Sequence, residues 1–189
     1  MVIASSGSAS AARAMAEYNF ELLRALVIED NAHMRKLLRS LLHSMGIKEI
    51  VESADGEAGY KALREQRFDF VLTDLSMKPV DGIEFTKRVR TAPDSPNQYL
   101  PIVMVTGHTE RARVEAARDA GVTEFLAKPI TAQHLHQRIS QIVERPRAFV
   151  RNDVYAGPDR RRRRDENFQG TSRRKADTKA DPKDDLALK

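Results

Sequence analysis

Cysteine is absent from the 189 residues, which excludes a disulfide framework and any thiolate metal site. Long apolar runs are missing as well. No stretch approaches the roughly 20 residues that span a bilayer, so no membrane span is expected and the protein is expected in the cytoplasm. Repeats of roughly 20 to 50 residues, the mark of solenoids and propellers, are not visible. Met1 to Ala16 has small residues but neither the basic start nor the unbroken apolar stretch of a secretory signal. We read Met15 as the biological start and residues 1–20 as a disordered leader.

What is present is ordinary for a folded domain: 41% hydrophobic and 31% charged residues, enough apolar surface for a core. The formal charge of +5 is unevenly spread. From Arg151 to Lys189 there are 12 Lys/Arg against 8 Asp/Glu, leaving 20 against 19 before that point. The basic character therefore belongs to the C-terminal stretch.

From Leu23 onward, short β-branched and apolar runs alternate with segments of helical period, the pattern of α/β architecture. Strands are expected at Ala25–Ile28, Ile50–Val51, Phe68–Leu72, Ile102–Val105 and Glu124–Leu126. The helix after the first strand has Met34, Leu37, Leu38, Leu41 and Leu42 at helical spacing and stops at Gly46. Helices then follow at Gly56–Gln66, with Ala58, Ala62 and Leu63 inside, and at Ile83–Arg90, Glu110–Ala120 and Thr131–Val143. Five β-α units imply a doubly wound, five-stranded parallel sheet with helices on both faces. The domain is expected over 21–145. Residues 146–189, with scattered apolar residues (Phe149, Val150, Val154, Tyr155, Phe168) and mixed charge, are expected to form a basic, largely disordered tail.

In an open parallel sheet, ligands bind beyond the carboxyl ends of the strands. Here those ends are Glu29-Asp30, Asp74, Thr106 and Lys128, so three carboxylates, a hydroxyl and an ammonium converge on one rim. Carboxylates that close repel unless a cation neutralises them, and oxygen ligands with room for water suit Mg²⁺. With the metal in place one carboxylate can serve as nucleophile toward a phosphoryl group, its charge shared among Mg²⁺, Lys128 and the Thr106 hydroxyl. Asp74, alone on a central strand, is the best candidate.

Glu29-Asp30, Asp74 followed by Met77, Pro79 and Asp81-Gly82, then Thr106 and Lys128-Pro129, closely resemble the signature of receiver domains of two-component response regulators, CheY-like proteins in phosphorelay signal transduction. The resemblance covers about Leu22 to Val143. It implies the flavodoxin-like strand order 2-1-3-4-5 and Asp74 as phosphoacceptor. Glu29, Asp30, Asp74 and the backbone carbonyl of Ser76 would be the Mg²⁺ ligands, and Thr106 and Lys128 the contacts to phosphoryl oxygens. It also implies a switch in which Phe125 turns inward as Thr106 moves, altering the face of the fourth helix, fifth strand and fifth helix, where Val114, Ala117 and Arg118 are expected at the surface. A histidine kinase or histidine phosphotransfer protein would be the donor and another protein the target; the chain would be a phosphoacceptor, self-catalysing its phosphorylation and dephosphorylation at most. Lys128-Pro129 would be cis. Phe125 lacks the hydroxyl of a tyrosine, Lys78-Pro79 puts the proline one place late, and Ser76 and His108 hold variable positions that influence phosphoryl lifetime.

Other chemistries find less support. There is no G-x-G-x-x-G or Gly-rich loop ending in Gly-Lys-Ser/Thr, and Glu29-Asp-Asn-Ala-His33 is no Ser/Thr/Gly-rich phosphate loop. His33, His43, His108, His134 and His136 form no spaced ligand set and read as solvated. The run Arg160 to Arg164 offers the alternative of a DNA- or anion-binding regulator acting through its tail. The tail lacks the apolar period of a helix-turn-helix and the interleaved aromatics of a stacking surface, so any nucleic-acid contact would be non-specific. Tyr155-Ala-Gly-Pro-Asp reads as a short docking motif.

Overall fold

Side chains alternate across a strand, and a strand buried on both faces must be apolar throughout. Three strands of this chain meet that demand: β1 (Arg24–Ile28), β3 (Phe70–Asp74) and β4 (Ile102–Thr106) are buried along nearly their whole length. In the computed structural model, which describes residues 20–107, 111–152, 154–160 and 178–180, they form the centre of a parallel sheet. The sheet is completed by β2 (Glu49–Ser53) and β5 (Glu124–Ala127), in the order β2-β1-β3-β4-β5. Residues 1–19, His108 and the arginine run beyond Arg160 lie outside the described residues.

Five helices cover the sheet: α1 (Ala32–Ser44), α2 (Gly56–Glu65), α3 (Gly82–Thr91), α4 (Arg111–Asp119) and α5 (Ala132–Glu144). Leu38 and Leu42 of α1 and Leu135, Ile139 and Ile142 of α5 pack on Ala25, Val27, Phe70 and Leu72. On the other face Tyr60 and Leu63 of α2 and Phe85 and Val89 of α3 meet Leu26, Ile28 and Val71. A smaller cluster of Leu75, Met104, Ala117 and Val122 lies under α4. Side chains start four of the helices by accepting main-chain N–H groups: Asn31 from His33 and Met34, Asp55 from Ala58, Asp81 from Glu84 and Thr131 from His134.

Three details depart from expectation. Ala58 is exposed, and Gly59 and Tyr60 take the inner positions of α2; a Cβ at Gly59 would meet the end of the Ile28 side chain, so helix and strand approach closely there. Leu37 is 43% exposed because it leans over the rim of the sheet instead of onto it. The third is the segment after α5, expected as tail. Phe149–Asn152 (β6) and Tyr155–Pro158 (β7) pair as an antiparallel hairpin, and Thr178–Ala180 (β8) adds to the other edge of β6.

The hairpin finds its burial against the domain. Phe149 is buried and packs edge-on against Tyr99, centroids 4.6 Å apart, while Arg147 bonds the buried Glu124 at 2.5 Å. The Tyr155-Ala-Gly-Pro-Asp segment thus docks within its own chain. Among the described residues no helix is long and apolar enough to cross a membrane.

Gly82 begins α3 where a Cβ would collide with the Asp74 carbonyl oxygen. We predict that Gly82→Ala costs about 1–3 kcal/mol, the usual penalty of overpacking, read as a lower urea midpoint at unchanged slope. An unchanged midpoint would mean that the two backbones are not in contact.

Candidate functional site

Strand register assembles the site. Ile28 pairs with Thr73 across β1 and β3, so the residues that follow, Glu29 and Asp74, emerge side by side where strand order reverses. Asp74 pairs with Val105, which puts Thr106 one step further along the rim. Thr106 pairs with Ala127, and the Lys128 N–H bonds the Thr106 carbonyl at 2.9 Å, delivering Lys128 to the same place. The peptide bonds Lys78-Pro79 and Lys128-Pro129 are both cis.

Carboxylate oxygens of Glu29, Asp30 and Asp74 all lie within 4.8 Å of one another. Glu29 is 1% and Asp74 7% exposed, whereas Asp30 faces solvent. Lys128 Nζ reaches into the cluster and donates to Asp74 Oδ1 at 2.8 Å and Glu29 Oε2 at 3.2 Å. The Ser76 N–H donates to Asp74 Oδ2 at 3.2 Å, while its buried hydroxyl has no partner among the described residues. An open cleft of about 360 Å³ begins at Glu29 and Lys128 and runs past Asn31 and His33 to Met34 and Leu37.

The electrostatics follow from this crowding. Burial, then the Asp74 charge, raises the Glu29 carboxyl above its ordinary value, against the opposing pull of Lys128 and the Asn31 N–H. Burial alone would lower Lys128, but bonding to Asp74 and the two carboxylate charges outweigh it and hold the ammonium above its usual range. One lysine therefore opposes three acidic groups. The set is hard oxygen donors of surplus negative charge with an open side, together with an orphaned buried hydroxyl, and it fits a hydrated divalent cation.

Some contributors are not visible in the linear pattern. Arg35 donates to the Glu29 carbonyl oxygen at 2.6 Å and pairs with Glu52 on β2 at 3.3 Å, fixing the acidic turn from behind. Its partners come from different elements, so spacing along the chain gives no hint of them. Asn31 caps α1 and walls the cleft; it stands next to the acidic pair, and the sequence assigns it no role. Phe125 is half-buried and packs on the cluster containing Leu75, Met104 and Ala117. Ala117, expected at the surface of α4, is fully buried there, because it packs against Leu75, Met104 and Val122, while Ala112 and Ala116 face solvent. Val114 is half-buried and Arg118 exposed. His136 is also not simply solvated: its ring meets Phe20 edge-on at 5.3 Å.

The doubly wound parallel sheet in this strand order, with an acidic pocket and a lysine at its carboxyl rim, places the chain among α/β proteins of flavodoxin-like fold. The response regulator receiver domain model matches residues 25–140, more than half of the chain, and the chain belongs to that family. It is 34% identical over 123 residues to the chemotaxis protein CheY of Pseudomonas aeruginosa, covering 65% of this chain and 98% of that protein. Among solved structures it is similar to the receiver domain of the Arabidopsis thaliana histidine kinase CKI1 complexed with Mg²⁺, at 27% identity and TM-score 0.58 over 64% of this chain and 91% of that one. It is also similar to the receiver domain of a Pseudomonas aeruginosa sensor histidine kinase with magnesium coordinated in its active site cleft, at 28% identity and TM-score 0.56 over 63% and 94%.

We predict that Mg²⁺ raises the thermal midpoint, by the equivalent of about 1.4 kcal/mol at tenfold over its dissociation constant, and that Asp30→Asn abolishes the effect. A protonated Glu29 cannot ligate, and its pKa lies above the usual 4.5. The Mg²⁺-induced shift should therefore shrink as pH is lowered from neutral, sooner than for a carboxylate of ordinary pKa. Melting curves indifferent to Mg²⁺ at neutral pH would refute the metal assignment.

Proposed function

We propose that the chain is a phosphorylation-dependent switch in which Asp74 accepts a phosphoryl group from a phosphohistidine of a histidine kinase or histidine phosphotransfer protein. The observation that carries this reading is the Asp74 carboxylate itself. It is nearly buried, held by the Lys128 ammonium and the Ser76 N–H, and crowded by Glu29 and Asp30.

In the reaction an Asp74 oxygen attacks phosphorus, a P–O bond forms as the P–N bond to the donor imidazole breaks, and the released nitrogen takes up a proton from water. Glu29, Asp30, Asp74 and the Ser76 carbonyl would hold Mg²⁺, which when bound supplies positive charge to the equatorial oxygens. Lys128 is already within bonding distance of Asp74 and supplies a second, compact charge to the transferred group. Thr106 offers a hydroxyl from the adjacent strand end, and its movement toward the phosphoryl group gives Phe125 room to turn inward. The acyl phosphate carries about two negative charges where the carboxylate carried one, and this gain of about −1, with the added bulk and oxygens, biases this two-state element and so the face of α4, β5 and α5, which a downstream protein reads. Asp74 is consumed one phosphoryl group per chain, so the domain is a phosphoacceptor that at most speeds its own modification and its reversal. We place this switch in the cytoplasm, where such donors act.

The test is mobility on a phosphate-affinity gel after incubation with acetyl phosphate. Wild type should shift in the presence of Mg²⁺, to a stoichiometry of about one phosphoryl per chain, and neither Asp74→Asn nor metal-free protein should shift. A folded, Mg²⁺-bound wild type that never shifts, or a shift retained in Asp74→Asn, would overturn the assignment.

A further inference from the structure

The hairpin packs on α3 and on Gly121 just beyond α4, and through Arg160 it reaches the last residue of α4, a helix that buries little of its own surface. Of its nine residues only Ala117 is buried, whereas α5 buries Leu135, Ile139 and Ile142. Little apolar area opposes a movement of α4, so contacts at its ends count for more. Its first residue, Arg111, follows the rim that holds Thr106, and Arg113 pairs there with Asp81 at 3.6 Å. Its last residue, Asp119, lies about 12–14 Å away at 1.5 Å per residue, at the opposite end of the sheet.

That end is held from two sides. Arg160 Nη1 pairs with Asp119 at 3.0 Å, and the Arg160 guanidinium lies 3.9 Å over the Tyr155 ring. Tyr155 is fixed in turn by its hydroxyl, which donates to the Pro158 carbonyl at 2.7 Å. Gly121, with φ of +98°, turns the chain out of α4 so close to β7 that a Cβ would lie 2.6 Å from the Ala156 carbonyl oxygen. Beneath it Arg90 is fully buried, donating to the Gly121 carbonyl at 3.0 Å and the Gln98 carbonyl at 2.8 Å. Arg151 ties β6 to the Gln98 side chain at 2.8 Å.

We propose that the hairpin Phe149–Pro158, with Arg160, is a latch on the C-terminal end of α4 that loosens when Asp74 is phosphorylated. The inference rests on the reading of Asp74 given above. A helix moves as a rod, so a displacement of its rim end must be taken up at Asp119 and Gly121, where the latch sits. The direction follows from the company the latch keeps: the docked hairpin coexists with Lys128 donating to Asp74 and Glu29, contacts that a phosphoryl group on Asp74 must disturb. Reciprocity then requires that weakening the latch favours phosphorylation.

Hydrogen exchange of the full chain, followed by mass spectrometry over residues 149–158, tests this, with each sample run in parallel on the phosphate-affinity gel. On treatment with acetyl phosphate and Mg²⁺, exchange in the hairpin of wild type should rise at least about fivefold, the low end of allosteric coupling, and should not change in Asp74→Asn. Arg160→Ala should show the faster exchange without phosphodonor and should bind beryllofluoride with Mg²⁺, a phosphoryl mimic, at least about fivefold more tightly than wild type. The charge swap Asp119→Arg with Arg160→Asp should restore both. Gel-shifted wild type with unchanged hairpin exchange would overturn the latch, as would Arg160→Ala with a loosened hairpin and wild-type beryllofluoride affinity. Wild type that does not shift would instead overturn the assignment of Asp74, and the latch with it.

Discussion

One positive charge among three negative ones organises this molecule. Lys128 is the last residue before a cis proline at the end of β5, and its ammonium bridges Asp74 and Glu29 on strands two and three positions away in the sheet. Partly buried carboxylates repel one another strongly in a medium of low polarisability, and without the lysine the rim would force protons onto Glu29 or push β1 and β3 apart. The sheet order, the register of β4 against β5 and the cap at Asn31 can all be understood as means of bringing that one ammonium to that one place.

The same imbalance is the source of the chemistry. A site in which charges were fully matched would have little attraction for the cation proposed above. The surplus is retained because Asp30 is wet and Glu29 is dry. The solvated carboxylate remains available, while the buried one is stabilised by Lys128, the Asn31 N–H and, behind it, Arg35 on its main chain. Removal of any one of these partners redistributes the load among the others, so effects of double substitutions around this rim should not add.

The sheet and the rim were readable in the linear chain because their signals are local. Apolar runs such as Ile102–Val105 announce buried strands, and a carboxylate, hydroxyl or lysine that ends such a run has only one end of the sheet on which to lie. The helix α1 was legible through Leu38 and Leu42, yet the same period also counted Leu37, which lies beyond the edge of the sheet. Gly59 and Tyr60 were overlooked on α2 because neither belongs to an aliphatic stripe; their place is dictated by the shape of Ile28. The hairpin was illegible for a different reason. Its strands are four residues long and carry glycine, proline and arginine, and what stabilises them is distant: Tyr99, Glu124, Gly121 and Arg90. An arginine in a helix reads as a solvated charge, and nothing near Arg90 in the chain says that it is buried.

Arg90 has a consequence for how easily the two parts separate. Burial pushes its guanidinium down to about 10, so at neutral pH it remains a cation in a dry place, and its Nη2 has no partner among the described residues. Lifting the hairpin exposes Phe149, which water opposes, but it also lets water reach that cation, which water favours. Opposed hydration terms of this kind partly cancel, so that less stands against a push delivered from the other end of the sheet than the burial of Phe149 alone would set.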